Sequence, residues 1–383
     1  MRAALRTSAA IIGASALLLG LAPAGAVILV PQAPLKPGAP DRTCGWPINY
    51  PNDANYSWPD TDAAYFVQSA LISEGDEIVI TGKDPKARYW SIQTYNYEDR
   101  QVIDSVNDEQ IKRVGKGAKR TWTVTVSTQA SKPGDSRLQG GDPYVVGTPF
   151  DITKDAKKLT VIIYRVYRSE TSTTSGGPLP SVTLKNADGS VQRLKTCVPS
   201  QVGPPANPFV LDAQPGIPDQ FVRAEGGRFY PSHDTSYLVA ERVYDPDKVL
   251  IVTGKAPRVR QDMRYWSLCQ NINRSPLPVV DCVSDRDVTL ATQTRRYTIA
   301  VVTPEQVPVA ERAKYRGVTF VDWGVLNDKG AYDPALLLFR NILPKPAFKQ
   351  SVASVGINAL ATTTMGDYAP IIEQVPLAEL RAR

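Results

Sequence analysis

Histidine is almost missing from this chain, with one in 383 residues, and only three methionines and four cysteines accompany it. That excludes zinc centres built from several histidines and cysteine-rich iron–sulfur domains. No C-x-x-C motif, no G-x-S-x-G elbow and no phosphate-cradling glycine loop after a strand occurs. Beyond the N-terminus no apolar run reaches the ~20 residues that a spanning helix needs. Charge of one sign is not in excess either, with 44 basic against 38 acidic residues. No basic stripe interleaves with aromatics, so nucleotide and nucleic-acid roles drop out. Proline is abundant at 32 residues beside 26 glycines without collagen period, which suits turn-rich β-architecture better than long helices. The length alone sets a prior of two or three domains.

The first 26 residues read as a secretory signal peptide. Arg2 and Arg6 form the basic region, an apolar stretch follows from Ala9 to Leu21, and small residues lead to cleavage after Ala26. This segment carries two arginines and no acids, leaving a mature charge of 6 − 2 = +4. The expectation is a secreted, extracellular protein with no transmembrane segment after cleavage. Export makes cystines available. The four cysteines allow three pairings, which sequence alone does not rank; Cys269 and Cys282 flank a turn-like stretch that a hairpin staple would suit, and Cys44 and Cys197 would then bracket the first domain.

An internal repeat organises the rest. Asp62-Ala-Ala-Tyr65 matches Asp234-Thr-Ser-Tyr237, and Ile78-Val-Ile-Thr81-Gly82-Lys83 matches Leu250-Ile-Val-Thr253-Gly254-Lys255. Arg88-Tyr89-Trp90-Ser91 matches Arg264-Tyr265-Trp266-Ser267, and Asp104–Asp108 matches Asp281–Asp285. Trp122–Val126 pairs with Tyr297–Val301, and Val161–Arg165 with Leu336–Arg340. Six blocks in one order predict a duplication. The resulting organisation is signal peptide 1–26, N-terminal extension 27–40, repeat 41–198, proline-rich linker 199–218, and repeat 219–383 with a C-terminal tail that could pack on the first copy.

The repeated blocks are short, β-branched and separated by turns, and Trp122–Val126 alternates cleanly. Glu77–Thr81 and its counterpart, each closed by Gly-Lys, read as strand followed by turn. Few segments, such as Tyr65–Ser73, could be helical. The fold predicted is all-β: two tandem antiparallel β-sandwiches, jelly-roll-like.

Pro59-Asp60-Thr61-Asp62-Ala63, Ala87–Ser91, Ser105–Asp108 and Gly177-Pro178-Leu179-Pro180 resemble a group of uncharacterised secreted actinobacterial proteins, as do Arg264–Cys269 and Arg340–Pro344. More distantly, the strand-Trp-Ser-strand pattern resembles a jelly-roll domain of unknown function in bacterial envelope proteins. The resemblance implies a sandwich outside the cytoplasm and no particular activity.

For chemistry, the candidates are His233, whose register partner is Thr61, and the carboxylates Asp62, Asp234, Asp108 and Asp285. An imidazole could activate a nucleophile, and paired carboxylates could run hydrolysis. The structural alternative is an Asp–Arg pair inside each domain, Asp108 with Arg165 and Asp285 with Arg340, with Arg88 and Arg264 in similar roles, because an unpaired charge in an apolar strand is costly. Asp60-x-Asp62, Asp245-x-Asp247 and Asp285-x-Asp287 place oxygens as a calcium ion could use them, without the D-x-D-x-D-G loop. No other cofactor or metal is implied. Tyr89, Trp90, Tyr265 and Trp266 could pack between domains or offer a ring to a ligand. Two readings follow: a non-catalytic binder of a ligand or cell-envelope component, using the cleft between domains, or an extracellular hydrolase. The non-catalytic reading is preferred.

Overall fold

The computed structural model describes residues 28–29, 44–50, 55, 57–96, 100–131, 136–140, 158–197, 216–224, 230–274 and 277–380. The signal peptide, most of the N-terminal extension and most of the linker expected from the sequence lie outside the described residues. The first half of the chain supplies β1 (Ile28–Leu29), β2 (Ile48–Tyr50), β3 (Ala63–Ile72), β4 (Glu77–Gly82), β5 (Ala87–Tyr95) and β6 (Val102–Asn107). It continues with β7 (Arg113–Val114), β8 (Thr121–Ser127), β9 (Arg137–Gln139), β10 (Lys158–Ser169), β11 (Ser181–Lys185) and β12 (Val191–Arg193). The second half supplies β13 (Val222–Arg223), β14 (Thr235–Arg242), β15 (Lys248–Lys255), β16 (Tyr265–Ile272) and β17 (Val279–Ser284). After these come β18 (Arg296–Val302), β19 (Val318–Asp322), β20 (Ala335–Ile342) and β21 (Ile371–Pro376).

These strands make four sheets. In the first half, β1-β3-β10-β5-β6 (with β2 also on β3) faces β12-β11-β4-β8-β7 (with β9 on β8). In the second, β13-β14-β20-β16-β17 faces β19-β18-β15-β21. Pairing is antiparallel except β8–β9 and β18–β19. The fold is all-β, of sandwich type. Among the described residues no helix is long and apolar enough to cross a membrane, which says nothing of a β-barrel.

Period-two alternation sorts the side chains of β10. Ile162, Tyr164 and Val166 enter the core of the first sandwich with Trp90, Trp122 and Val124. Val161, Ile163, Arg165 and Tyr167 point the other way, toward the second half. The β20 strand behaves alike: Leu337 and Phe339 join Trp266 and Tyr297 in the second core, while Arg340 and Ile342 face the first half. So the sheets holding β10 and β20 are inner sheets, buried on both faces, which is why these strands read as continuously apolar.

Three local expectations are corrected. Tyr65–Ser73 is not helical; it falls almost wholly in β3, ten residues hydrogen-bonded to β10 along its length, and burial on both faces overrides any helical pattern. Gly82 and Gly254 lie within strands rather than in turns. A Cβ at Gly82 would sit 2.6 Å from Trp122 Cζ2, and one at Gly254 2.6 Å from Tyr297 Oη, so each glycine makes room for a core ring on the neighbouring strand. The C-terminal tail packs on the second half, where β21 pairs with β15 and Met365, Ala369 and Ile372 complete its core.

Candidate functional site

The chemistry-bearing residues singled out in the sequence converge on the layer between the two inner sheets. Its centre is aromatic: Tyr89, Tyr167 and Tyr265 are packed with Ala63 and Ile342, ring centroids 5.3 Å apart for Tyr167–Tyr265 and 5.6 Å for Tyr89–Tyr167. Burial holds the Tyr89, Tyr167 and Tyr265 hydroxyls well above the ordinary tyrosine value, so they stay protonated. Tyr89 donates to Asp234 Oδ2 at 2.6 Å, and Tyr265 donates to Asp60 Oδ2 at 3.0 Å. Tyr89 and Tyr265 thus each bind a carboxylate of the opposite half, while the Tyr167 hydroxyl lies 3.0 Å from that of Tyr65.

Arginines also reach across the layer. Arg88 Nη1 lies 2.8 Å from Asp285 Oδ2, and Arg264 Nη2 lies 2.5 Å from Asp108 Oδ2 while its Nη1 reaches Glu109. Arg168 bridges Asp62 and Asp287, 2.6 Å to each. Arg340 donates 2.5 Å to the Trp58 carbonyl and lies 3.5 Å from Asp60, with both side chains almost fully buried. Arg165 donates to the Tyr230 carbonyl at 2.5 Å, to Gln93 Oε1 at 3.0 Å and to the Tyr95 hydroxyl. Trp58 and Tyr230 both hold a positive φ, 50° and 54°. Such backbone costs of order 1–3 kcal/mol and persists where its surroundings over-determine it; here a buried guanidinium from the other half grips each carbonyl.

The expected pairing inside each half is therefore not what forms. Asp108 meets Arg264 rather than Arg165, and Asp285 meets Arg88 rather than Arg340. The physical reason lies in strand parity: Arg165 and Arg340 point away from their own cores, so their partners come from across the layer. The two are also unequal. Arg340 has Asp60; at the position that the repeat register matches to Asp60 stands Ser232, and Arg165 is held by neutral oxygens and by the rings of Tyr65 and Tyr95, 5.6 and 5.2 Å from its guanidinium carbon.

No protein-family model matches the chain. No curated protein matches it either. Among solved structures it is similar to an uncharacterised protein from Burkholderia cenocepacia, at 12% identity and a TM-score of 0.50, over 85% of this chain and 79% of that one. It also matches the VPA0106 protein of Vibrio parahaemolyticus at 10% identity and a TM-score of 0.42, over 83% of this chain and 90% of that one. The likeness to the Burkholderia protein, at that identity, is one of fold alone.

The remaining candidates fall into place around the layer. Trp90 and Trp266 are core residues, stacked on Trp122 and Tyr297 respectively, and with Tyr89 and Tyr265 also buried no ring of the four is open to a ligand. Between the halves, the described residues pack directly through Ala63, Tyr89, Tyr167, Tyr265 and Ile342. His233 is 67% exposed at its side chain, with Nδ1 3.7 Å from Asp234 Oδ1, and the nearby carboxylate raises its pKa. Burial works against ionisation of Asp234, but hydrogen bonds from His233, Tyr89 and Asn107 hold it below the usual carboxylate range. Asp62, Asp108 and Asp285 are shifted upward, chiefly by burial, despite their arginines.

The calcium-like spacings are used otherwise. Asp60 and Asp245 each accept from the backbone N–H two residues on, as Asx turns do, and Arg168 occupies the space between Asp62 and Asp287. Among the described residues one group of possible metal ligands lies close together, Asp60 with Cys269 and Cys282. Those sulfurs are joined to each other, and Cys44 is joined to Cys197. Two disulfides mark an oxidising compartment, extracellular or periplasmic. Sequence reasoning passed over Asp60 as a pairing residue, although it shares a D-x-D with Asp62, and passed over Arg168 because Leu343 stands at the matching position of the second half. The shared positive φ of Arg168 and Leu343, 55° and 45°, shows the same backbone device beneath the different side chains.

Proposed function

We propose that the chain is exported, loses residues 1–26, and works as a non-catalytic binder of a cell-envelope component. On this reading it is a duplicated module, 41–198 and 219–383, joined by the linker 199–218 and fused face to face through the inner sheets. Reciprocal contacts support the duplication: Arg88 with Asp285 against Arg264 with Asp108, and Arg165 with the Tyr230 carbonyl against Arg340 with that of Trp58. Disulfides support export.

The observation that carries the non-catalytic reading is the commitment of every nominated carboxylate. Asp108, Asp285 and Asp62 are each ion-paired to an arginine through one oxygen and Asp234 is bound by Tyr89 and Asn107, so each nominated acid is tied into the layer between the sheets. His233 faces solvent beside an acid already engaged, and no hydroxyl is placed on its ring by a hydrogen bond among the described residues. Co-sedimentation with washed bacterial envelope fragments tests the reading. The protein should pellet with the fragments, release no soluble saccharide or acid from them, and pellet equally well as His233→Ala. Release of product that stops in Asp285→Asn or His233→Ala, with folding intact, would overturn it.

A further inference from the structure

The outer sheet of the first half ends in a cluster of lysines for which the fold has no internal use. Gly82, Trp122 and Arg113 stand side by side on β4, β8 and β7. β4 and β7 run in the same direction, so with strands about 4.8 Å apart the segment that follows Gly82 and the turn that follows Val114 leave the sheet at one end, within roughly 10 Å of each other. The first carries Lys83 and Lys86, the turn after Val114 carries Lys116 and Lys119, and Lys112 lies one residue before β7. All of these lysines are exposed. None has a carboxylate within ion-pair distance among the described residues, whereas Lys185, Lys248, Lys314 and Lys345 each have one.

The platform beneath them is built. Asp84 takes Arg113 Nε at 2.8 Å and Arg120 Nη2 at 2.6 Å, so this acid is consumed in tying the segments together. Gly115, at φ +90°, turns so tightly that a Cβ there would lie 2.8 Å from the Lys119 carbonyl. The lysines consequently fan outward from a braced loop. Like charges held together without counterions raise the local potential, an arrangement that favours a ligand bearing many anions. The patch has one exposed apolar side chain, Val114, far short of the apolar face that an interfacial membrane anchor needs.

We infer that this edge binds a linear polyanion, a polymer repeating phosphodiester or carboxylate groups, through Lys83, Lys86, Lys112, Lys116 and Lys119. The inference rests on the binding reading above and names its ligand class. Lysine presents a point charge without the planar fork of arginine, so the patch reads charge density rather than one anion's geometry.

The experiment is fluorescence titration of the full chain with inorganic polyphosphate, with a polyuronate and with phosphatidylglycerol vesicles, at 50 and 200 mM salt. Both polymers should bind, with affinity falling about 100-fold across that range if roughly five charges are neutralised at a slope near −0.7 each. Lys112→Glu/Lys116→Glu/Lys119→Glu should lose at least tenfold at low salt while keeping the wild-type melting temperature. Lys314→Glu/Lys329→Glu/Lys349→Glu, with the same change in net charge on the second half, should bind as wild type. A preference for one polymer would identify phosphate or carboxylate as the source. Failure of both polymers, binding to vesicles alone, or equal losses in the two triple variants would each overturn the inference. Should the first triple variant still pellet with envelope fragments as wild type does, the patch is wrong while the binding reading stands.

Discussion

At the scale of single residues, the two buried arginines offer the sharpest contrast. Removing Arg340 strands Asp60, which is fully buried and otherwise holds only hydroxyls, Tyr265 and Ser267, with its Oδ2. An uncompensated buried charge of this kind costs about 3–5 kcal/mol. Removing Arg165 strands neutral groups instead, and Tyr95 already lies 2.6 Å from Gln93 Oε1, so those partners can satisfy each other. Arg340→Met should therefore lose roughly 2 kcal/mol more than Arg165→Met in urea unfolding, and equal losses would contradict the charge argument. His233 and Asp234 give a pH signature. His233, raised by its neighbour, contributes stability in full below its unfolded pKa of about 6.5 and loses that contribution as pH rises through the higher folded value. Asp234, held low, contributes above about pH 3.9 and loses that contribution as pH falls through its folded value. The pair is thus strongest between about pH 4 and 6.5. His233→Asn should flatten the fall in melting temperature between pH 6 and 8, by the equivalent of less than about 1 kcal/mol because the ring is mostly in water.

Elements show what a one-dimensional reading can and cannot see. Strands such as β8 and β18 were legible because alternation survives in Trp122–Val126 and Tyr297–Val301, and position suited the cystine pairing that forms. The repeated glycines were legible as important but misread as turns, since the ring that demands Gly82 comes from Trp122, forty residues away on a neighbouring strand. Gly82→Ala should cost about 1–3 kcal/mol by overpacking. Trp122→Phe in the same molecule should recover part of it, a coupling measurable by a double-mutant cycle. Strand parity explains the main omission. Sequence shows that Arg165 and Arg340 sit in apolar strands, but which face they take depends on a second layer that local pattern does not encode. For the same reason sequence does not tell which ring of Tyr89-Trp90 or of Tyr265-Trp266 enters its own core and which enters the layer between the halves. The disulfides separate on loop length: Cys44–Cys197 closes 153 residues and Cys269–Cys282 closes 13. On the chain-entropy model their removal as Cys→Ala pairs should cost about 5 and about 3 kcal/mol respectively. The order of the two melting temperatures in non-reducing buffer checks this.

Across the whole molecule, the inner layer decides whether the halves behave as one body. Contacts between them are neither sparse nor peripheral: ion pairs at Arg88 and Arg264, a tyrosine core, and two guanidiniums inserted against the opposite backbone. Each half leaves Arg165 or Arg340 to be satisfied by the other, so separating them would expose apolar inner sheets. A single cooperative thermal transition is expected, with calorimetric and van't Hoff enthalpies in agreement. The ion pairs give a way to test that the layer carries this coupling. Arg88→Asp places two carboxylates together and Asp285→Arg places two guanidiniums together, the wild-type side chains being only 17% and 6% exposed. Each single variant should lose about 2–4 kcal/mol, between the values for exposed and fully buried pairs, and should broaden or split the transition. The exchanged double variant restores an opposite-charge pair at the same distance, so it should regain at least half of that loss and return to one transition. If the single variants melt as wild type, the two sandwiches are coupled by the tyrosines alone and the arginines serve only to order the loops at the rim.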